Sequence, residues 1–139
     1  MPPRRSWLFT PATMPERFER AAATGADVLI LDLEDAVAPD RKDEARRIAL
    51  DFLSKPSGWQ STARALRINS PTTPYGLEDL LALIQSQAKA DAVIVPKTDS
   101  AEIVRLIAGH LGDVPLVPLI ESARGVAAAQ EIAAASPRV

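Results

Sequence analysis

Cysteine is absent from this sequence, and histidine occurs once, at His110. The first absence excludes disulfides, thiolate metal sites and a cysteine nucleophile. Together the two argue against a zinc centre of the usual kind, which draws its ligands from histidine and cysteine. No apolar run is long enough to span a bilayer. Nor is there a basic tract of the kind that neutralises a nucleic-acid backbone: sixteen Lys and Arg stand against eighteen Asp and Glu, for a formal charge of -2. Neither a membrane nor a nucleic-acid partner is expected. The opening Met1-Pro2-Pro3-Arg4-Arg5-Ser6 runs into Trp7-Leu8-Phe9 without the longer apolar stretch and small-residue cleavage site of a signal peptide, which predicts a cytoplasmic protein.

What is present is a regular alternation. The chain has 139 residues with 47% hydrophobic content, enough for a packed core. Short apolar runs alternate with segments of helical periodicity, the pattern of βα units feeding a parallel sheet. Five units are predicted. Trp7-Leu8-Phe9 is the first strand, followed by a helix that opens near Pro15 and ends before Gly25. Val28-Leu29-Ile30-Leu31-Asp32-Leu33 is the second, apolar on both faces as a strand lining a barrel would be. Asp40 is the expected N-cap of the next helix, whose Ala45, Ile48, Ala49, Phe52 and Leu53 form an inward face until Pro56 and Gly58. The third strand, Ala65 to Asn69, leads to a helix carrying Leu77, Leu80, Leu81 and Ile84. Ala92 to Val95 is the fourth. Its helix opens on a capping-box pattern, Asp99 with Glu102, and buries Ile103, Leu106, Ile107 and Leu111 before Gly112. The fifth strand, Leu116 to Ile120, precedes an alanine-rich helix capped by Ser122 and running to about Ser136. Arg138-Val139 has the character of a sixth strand just beginning. No linker or repeat in residue identity interrupts residues 1–139, which read as one domain.

In a parallel β/α fold the loops at the C-terminal ends of the strands converge, and chemistry gathers there. The polar residues follow that rule: Asp32, Glu34 and Asp35 after the second strand, Arg67 and Asn69 at the third, Lys97 after the fourth and Glu121 after the fifth. Each has a plain reading beside a functional one. The acidic run suits a solvated turn as well as a site. Arg67 suits either a grip on a substrate carboxylate or oxyanion, or a salt bridge to Glu34 or Asp35. Lys97 is a Schiff-base nucleophile or an ion-paired lysine. Glu121 follows a strand apolar throughout, where an ionised carboxylate needs hydrogen bonds or a cation such as Mg²⁺. His110 falls late in a helix and reads as structural.

These segments resemble a known family. Arg4 to Pro11 with Pro15-Glu16-Arg17, then Ala26 to Val37, Lys42 and Ala45-Arg46, Leu66-Arg67-Ile68-Asn69, Val95-Pro96-Lys97 and Pro118 to Ala123 are similar, in that order, to the HpcH/HpaI aldolase and citrate lyase β-subunit superfamily, nearest its CitE-like branch. The resemblance covers essentially the whole chain. It implies an α/β fold, the (β/α)₈ TIM barrel, of which this chain would supply about the first five units and a truncated sixth strand. It also implies an oligomeric, Mg²⁺-dependent carbon–carbon lyase that cleaves citryl-, malyl- or citramalyl-type thioesters of coenzyme A or an acyl carrier to an acetyl thioester and an α-keto acid or glyoxylate. By the same resemblance, Glu121 matches a carboxylate ligand of Mg²⁺ that also adjoins substrate. Arg67 matches the substrate-binding and polarising arginine, and Glu34 and Asp35 match the acidic pair beside it. The family's second metal ligand, an aspartate after strand six, is expected beyond Val139. Two other readings stand beside this one: a non-catalytic barrel fragment acting as an interaction or thioester-binding partner, and a Schiff-base aldolase using Lys97. Arg5, Arg17 and the start of the first helix are the expected contacts of the thioester carrier, the helix N–H groups offering a place for a phosphate.

Overall fold

The computed structural model describes residues 4–56, 58–59 and 61–139, so the opening Met1-Pro2-Pro3 lies outside it. Five strands, β1 (Trp7–Pro11), β2 (Val28–Asp32), β3 (Ala63–Arg67), β4 (Ala92–Val95) and β5 (Leu116–Pro118), pair in parallel in chain order. Parallel neighbours need a crossover between them, and helices supply it. α1 (Phe18–Ala22) follows a 3₁₀ turn at Pro15–Arg17, and α2 (Lys42–Ser54), α3 (Pro74–Gln85) and α4 (Ala101–His110) serve the next three connections. After β5 come α5 (Ala123–Ala127) and α6 (Ala129–Ala133), the alanine-rich stretch interrupted at Ala128. This is the order of the first five units of a (β/α)₈ barrel, laid out as an open sheet. Arg138 is not in a strand. Its carbonyl nevertheless accepts from the Leu116 amide at 2.8 Å, as the carbonyl of Pro115 accepts from Val93 one strand earlier, so it sits where a neighbour of β5 would start.

The two faces of the sheet have different jobs. Leu29, Leu31 and Leu33 alternate with Val28, Ile30 and Asp32, so consecutive residues point to opposite sides. The first set joins Leu66, Ile68, Val93 and Val95 in the main core beneath the helices, with Phe18, Ala45, Ala49, Leu53, Val104 and Ile107. Each large side chain there is essentially inaccessible to water and stabilises the fold by about 1.5–3 kcal/mol. The second face carries a smaller cluster, Val28, Ile30, Ala65, Ala92 and Ile94, flanked by Trp7 and Val117. That face would line the barrel interior, and its row along β2 ends on Asp32 while its row along β3 ends on Arg67.

Several local expectations shift. β3 starts two residues earlier than the apolar run suggests, because the Ala63 amide bonds to the Asp27 carbonyl and extends the ladder. Asp40 does not cap α2: it sits inside a 3₁₀ turn, Pro39–Arg41, which leads directly into the helix without a side-chain cap. The N-cap position of α4 is Ser100 rather than Asp99, whose carboxylate instead faces Arg124 at 3.6 Å. Within α4, Val104 is buried and Leu106 is exposed, the reverse of the expected stripe at that turn. On α3, Leu80 and Leu83 pack inward while Leu77, Leu81 and Ile84 face outward. Ser122 does cap α5, accepting from the Gly125 amide at 3.0 Å. Gly25 and Gly112, at φ +82° and +58°, end their helices in the left-handed conformation that glycine adopts without steric cost.

Candidate active site

Asp32 and Arg67 are register partners across β2 and β3 and point to the same face. Arg67 donates from Nε to Oδ1 and from Nη2 to Oδ2 of Asp32, both at 2.7 Å, a bidentate pair with the two groups almost wholly out of water. The hydrogen bonds to Asp32 raise the pKa of Arg67 and fix its charge. Its guanidinium also lies 4.6 Å from the ring centroid of Phe9, the neighbouring inward residue of β1. With Nε and Nη2 committed, Nη1 is left for the mouth of the sheet, where it stands 3.2 Å from Glu34 Oε2 and 4.0 Å from Asp35 Oδ2. The salt-bridge reading of Arg67 therefore holds, with Asp32 as its principal partner. The sequence reading placed Asp32 at the strand end without giving it this role.

Glu34 is buried, and burial raises its pKa against the pull of the Lys97 ammonium. Its Oε1 accepts from Lys97 Nζ. Its Oε2 is shielded from solvent and has no hydrogen-bond partner among the described residues. Asp35, by contrast, keeps a largely exposed side chain at 3.4 Å from Lys97 Nζ. The bond to Glu34 raises the Lys97 pKa, holding the amine protonated. A Schiff-base nucleophile needs the free amine, so this environment opposes the aldolase reading of Lys97. The same residue has φ +50°, a left-handed backbone that is unfavourable for a residue with a Cβ. Its backbone is pinned there from both sides: its amide donates to Glu121 Oε2 at 2.8 Å, and the following Thr98, fully buried, donates its amide to Leu119 O and its hydroxyl to Val95 O.

Glu121 is exposed at the end of β5, one carboxylate oxygen bound to the Lys97 amide. The remaining donor capacity suits one position on a hard, oxygen-seeking cation such as Mg²⁺, which takes about six ligands. The described residues bring no three acidic or histidine side chains together as a metal cage. Glu121 thus fits as a single protein ligand, and the residues here do not amount to a complete site.

Asn69 stands behind Arg67. Its amide and its Nδ2 both donate to Asp79 Oδ2, at 2.8 and 2.7 Å, and Asp79 Oδ1 accepts from Arg46 Nε. α3 begins tightly under this loop, since a Cβ on Gly76 would lie 2.1 Å from the Ser70 carbonyl oxygen. One expected thioester contact lies elsewhere. Arg5 precedes β1 and its amide bonds to Asp27, which precedes β2, so it occupies the opposite end of the sheet from Arg67. His110 is exposed at that same far end, lining a cavity with Asp91 and Pro115. Arg17 does lie toward the mouth, beside Thr10 and Pro11 in a cavity of about 310 Å³.

No helix among the described residues is long and apolar enough to cross a membrane. An L-malyl-CoA/β-methylmalyl-CoA lyase of Cereibacter sphaeroides is 37% identical over 99% of the chain, and a (3S)-malyl-CoA thioesterase of the same species is 39% identical over 95%. The citrate lyase β-subunit of Mycobacterium tuberculosis, solved with oxaloacetate and magnesium, superimposes with a TM-score of 0.77 and 41% identity over 96% of the chain. The chain spans about half the length of these relatives: 46%, 45% and 56% respectively. The family model for the HpcH/HpaI aldolases and citrate lyases matches residues 5–139, which takes in every strand and every charged group just described. On that match, this chain belongs to the HpcH/HpaI aldolase/citrate lyase family.

Proposed function

We propose that this chain carries the substrate-polarising half of a Mg²⁺-dependent lyase for hydroxyacyl thioesters of coenzyme A or an acyl carrier, of the malyl, citramalyl or citryl type. The observation that carries the reading is the position of Arg67. Asp32 holds two of its nitrogens, so the third is presented at a fixed place beside Glu34 at the strand ends. Cleavage of a β-hydroxyacyl thioester removes the hydroxyl proton, breaks the adjacent carbon–carbon bond and leaves an aldehyde or ketone plus a thioester enolate, which then takes up a proton. Arg67 Nη1 supplies a positive charge, already oriented, to the oxygens on which negative charge moves. Glu34, a buried carboxyl with a raised pKa, is suited to moving a proton at its Oε2. Asp35 and Lys97 set the local charge around it. Glu121 contributes one carboxylate to Mg²⁺, which when bound supplies further stabilisation of negative charge on oxygen. The carrier phosphates fall to Arg17. The working protein is read as a cytoplasmic homo-oligomer.

The test is turnover of malyl-CoA by the purified chain with Mg²⁺. Acetyl-CoA and glyoxylate in equal amounts support the lyase. Free CoA and malate instead would assign the hydrolysis for which one relative is named. Saturable binding of the thioester without turnover would favour a non-catalytic thioester-binding fragment. The absence of both turnover and binding would overturn the reading.

A further inference from the structure

α2 carries a lysine in an unusual place. Lys42, the first residue of the helix, is 7% exposed, although an ammonium is among the groups least often buried. Burial lowers its pKa, against the pull of Asp32, Asp79, Glu34 and Asp35. Its Nζ donates to two backbone carbonyls, Leu33 O and Glu34 O, each at 2.7 Å, and lies 5.9 Å from the ring centroid of Tyr75.

Those carbonyls belong to the loop that presents the acidic pair, and the remaining hydrogen bonds of that loop show what the lysine does. The Leu33 amide donates to the Arg67 carbonyl. The Glu34 amide donates to Asp32 Oδ1 at 2.9 Å and the Ala36 amide to Asp32 Oδ2 at 3.1 Å. The Val37 amide donates to the Glu34 carbonyl. The backbone of Glu34 is therefore held at its N–H by the carboxylate of Asp32 and at its C=O by the ammonium of Lys42. Asp32 is the same carboxylate that holds Arg67. One anion and one buried cation thus fix the guanidinium and the Glu34 main chain relative to each other.

We infer that Lys42 is a positioning residue of the site: through the Leu33 and Glu34 carbonyls it sets where the Glu34 carboxyl stands opposite Arg67, without touching substrate. Packing alone does not require it, since an apolar side chain of equal length would fill the space. Such a side chain would leave the Leu33 carbonyl without the donor it has here and the Glu34 carbonyl with the Val37 amide alone. The catalytic significance of this clamp rests on the function proposed above for Glu34 and Arg67; the clamp itself is measurable without any turnover.

The absence of cysteine provides the experiment. Lys42→Cys places a single thiol in the chain. In denaturant, its thiolate displaces bromide from 2-bromoethylamine, giving a thioether that ends in an ammonium, with sulfur in place of the γ-methylene of lysine. Amide exchange by NMR is then compared after refolding. In the thiol form, exchange at Glu34, Ala36 and Val37 should quicken by at least about tenfold, while Val93 and Leu119 stay within about twofold of the parent chain. Aminoethylation should bring the loop amides back to within about threefold of the parent. Lys42→Met, which keeps the volume and removes the charge, should open the same three amides. An unchanged loop, a loop that aminoethylation does not close, or quickening that reaches Val93 by the same factor would each overturn the inference. Should the thiol form fail to fold, the aminoethylated chain decides: parental loop protection supports the clamp, and its failure to recover that protection overturns it. On malyl-CoA the same series should lower and restore kcat with KM nearly unchanged. A chain inactive in every form, yet showing the exchange pattern, would sink the lyase reading and leave the clamp standing.

Discussion

Asp32 and Arg67 are 35 residues apart in the chain, face each other as neighbours on adjacent strands, and share two parallel hydrogen bonds of 2.7 Å. The two side chains are 1% and 10% exposed, so neither charge can fall back on water if the other is lost. Asp32→Asn is therefore expected to destabilise the chain by about 3–5 kcal/mol. Denaturant unfolding followed by circular dichroism measures it, and a loss below about 1 kcal/mol would show that Arg67 finds another anion.

Arg67→Lys keeps the charge and loses the fork. A lysine cannot hold Asp32 with two nitrogens and present a third. Turnover of a malyl thioester should drop about 10²–10³-fold, with a much smaller change in KM. A variant with parental kcat would remove Arg67 from the chemistry.

Glu34 makes stability depend on pH with a definite sign. Its folded pKa lies above the ordinary value of 4.5 because burial penalises the carboxylate. The folded state therefore holds the proton to higher pH than the unfolded state does, and this contribution to stability is lost as pH rises from about the unfolded value through the folded one. Glu34→Gln, which stays neutral throughout, should gain stability relative to the parent as pH rises across that interval. Thermal melts of the pair at a series of pH values test it; a constant difference would mean that Glu34 titrates normally.

Lys97 offers a backbone test that its side chain does not confuse. At φ +50° an alanine suffers the clash that a glycine avoids. Lys97→Gly should be more stable than Lys97→Ala by about 1 kcal/mol, although both lose the contacts to Glu34 and Asp35. The opposite order, measured by unfolding, would indicate that this peptide is not held in the left-handed region.

Much of this arrangement could be read from residue order, and the parts that could not have a common cause. β2 was legible because Val28, Leu29, Ile30 and Leu31 leave no polar face, as burial on both sides demands. The acids after it, and Arg67, Lys97 and Glu121 after theirs, were legible as strand ends. The pairing of Asp32 with Arg67 was not, because it depends on the register of β2 against β3, which neither strand encodes by itself. The outward faces of α3 and α4 were hidden for a related reason. Leu77, Leu81 and Ile84 have the spacing of a buried stripe, and spacing tells which residues share a face but not which way that face points. Asp40 and Asp99 have the chemistry of caps, yet a 3₁₀ turn and a one-residue later start moved the helix beginnings past them. Lys42 was visible as a family match, but its burial depends on α2 docking beneath the β2 loop, a contact between separate elements.

The nearest-neighbour order of the sheet also bears on how the chain is made. First residues in register are Trp7 with Val28, Val28 with Ala63, Ala65 with Ala92 and Val93 with Leu116, so every strand after the first meets a partner that has already been synthesised. At a ribosomal pace of roughly 5–20 residues per second, consecutive strands emerge about one to seven seconds apart. Helices and short loops form in microseconds. Each βα unit thus has ample time to settle before its successor leaves the ribosome, and the sheet can grow along one edge in the direction of translation.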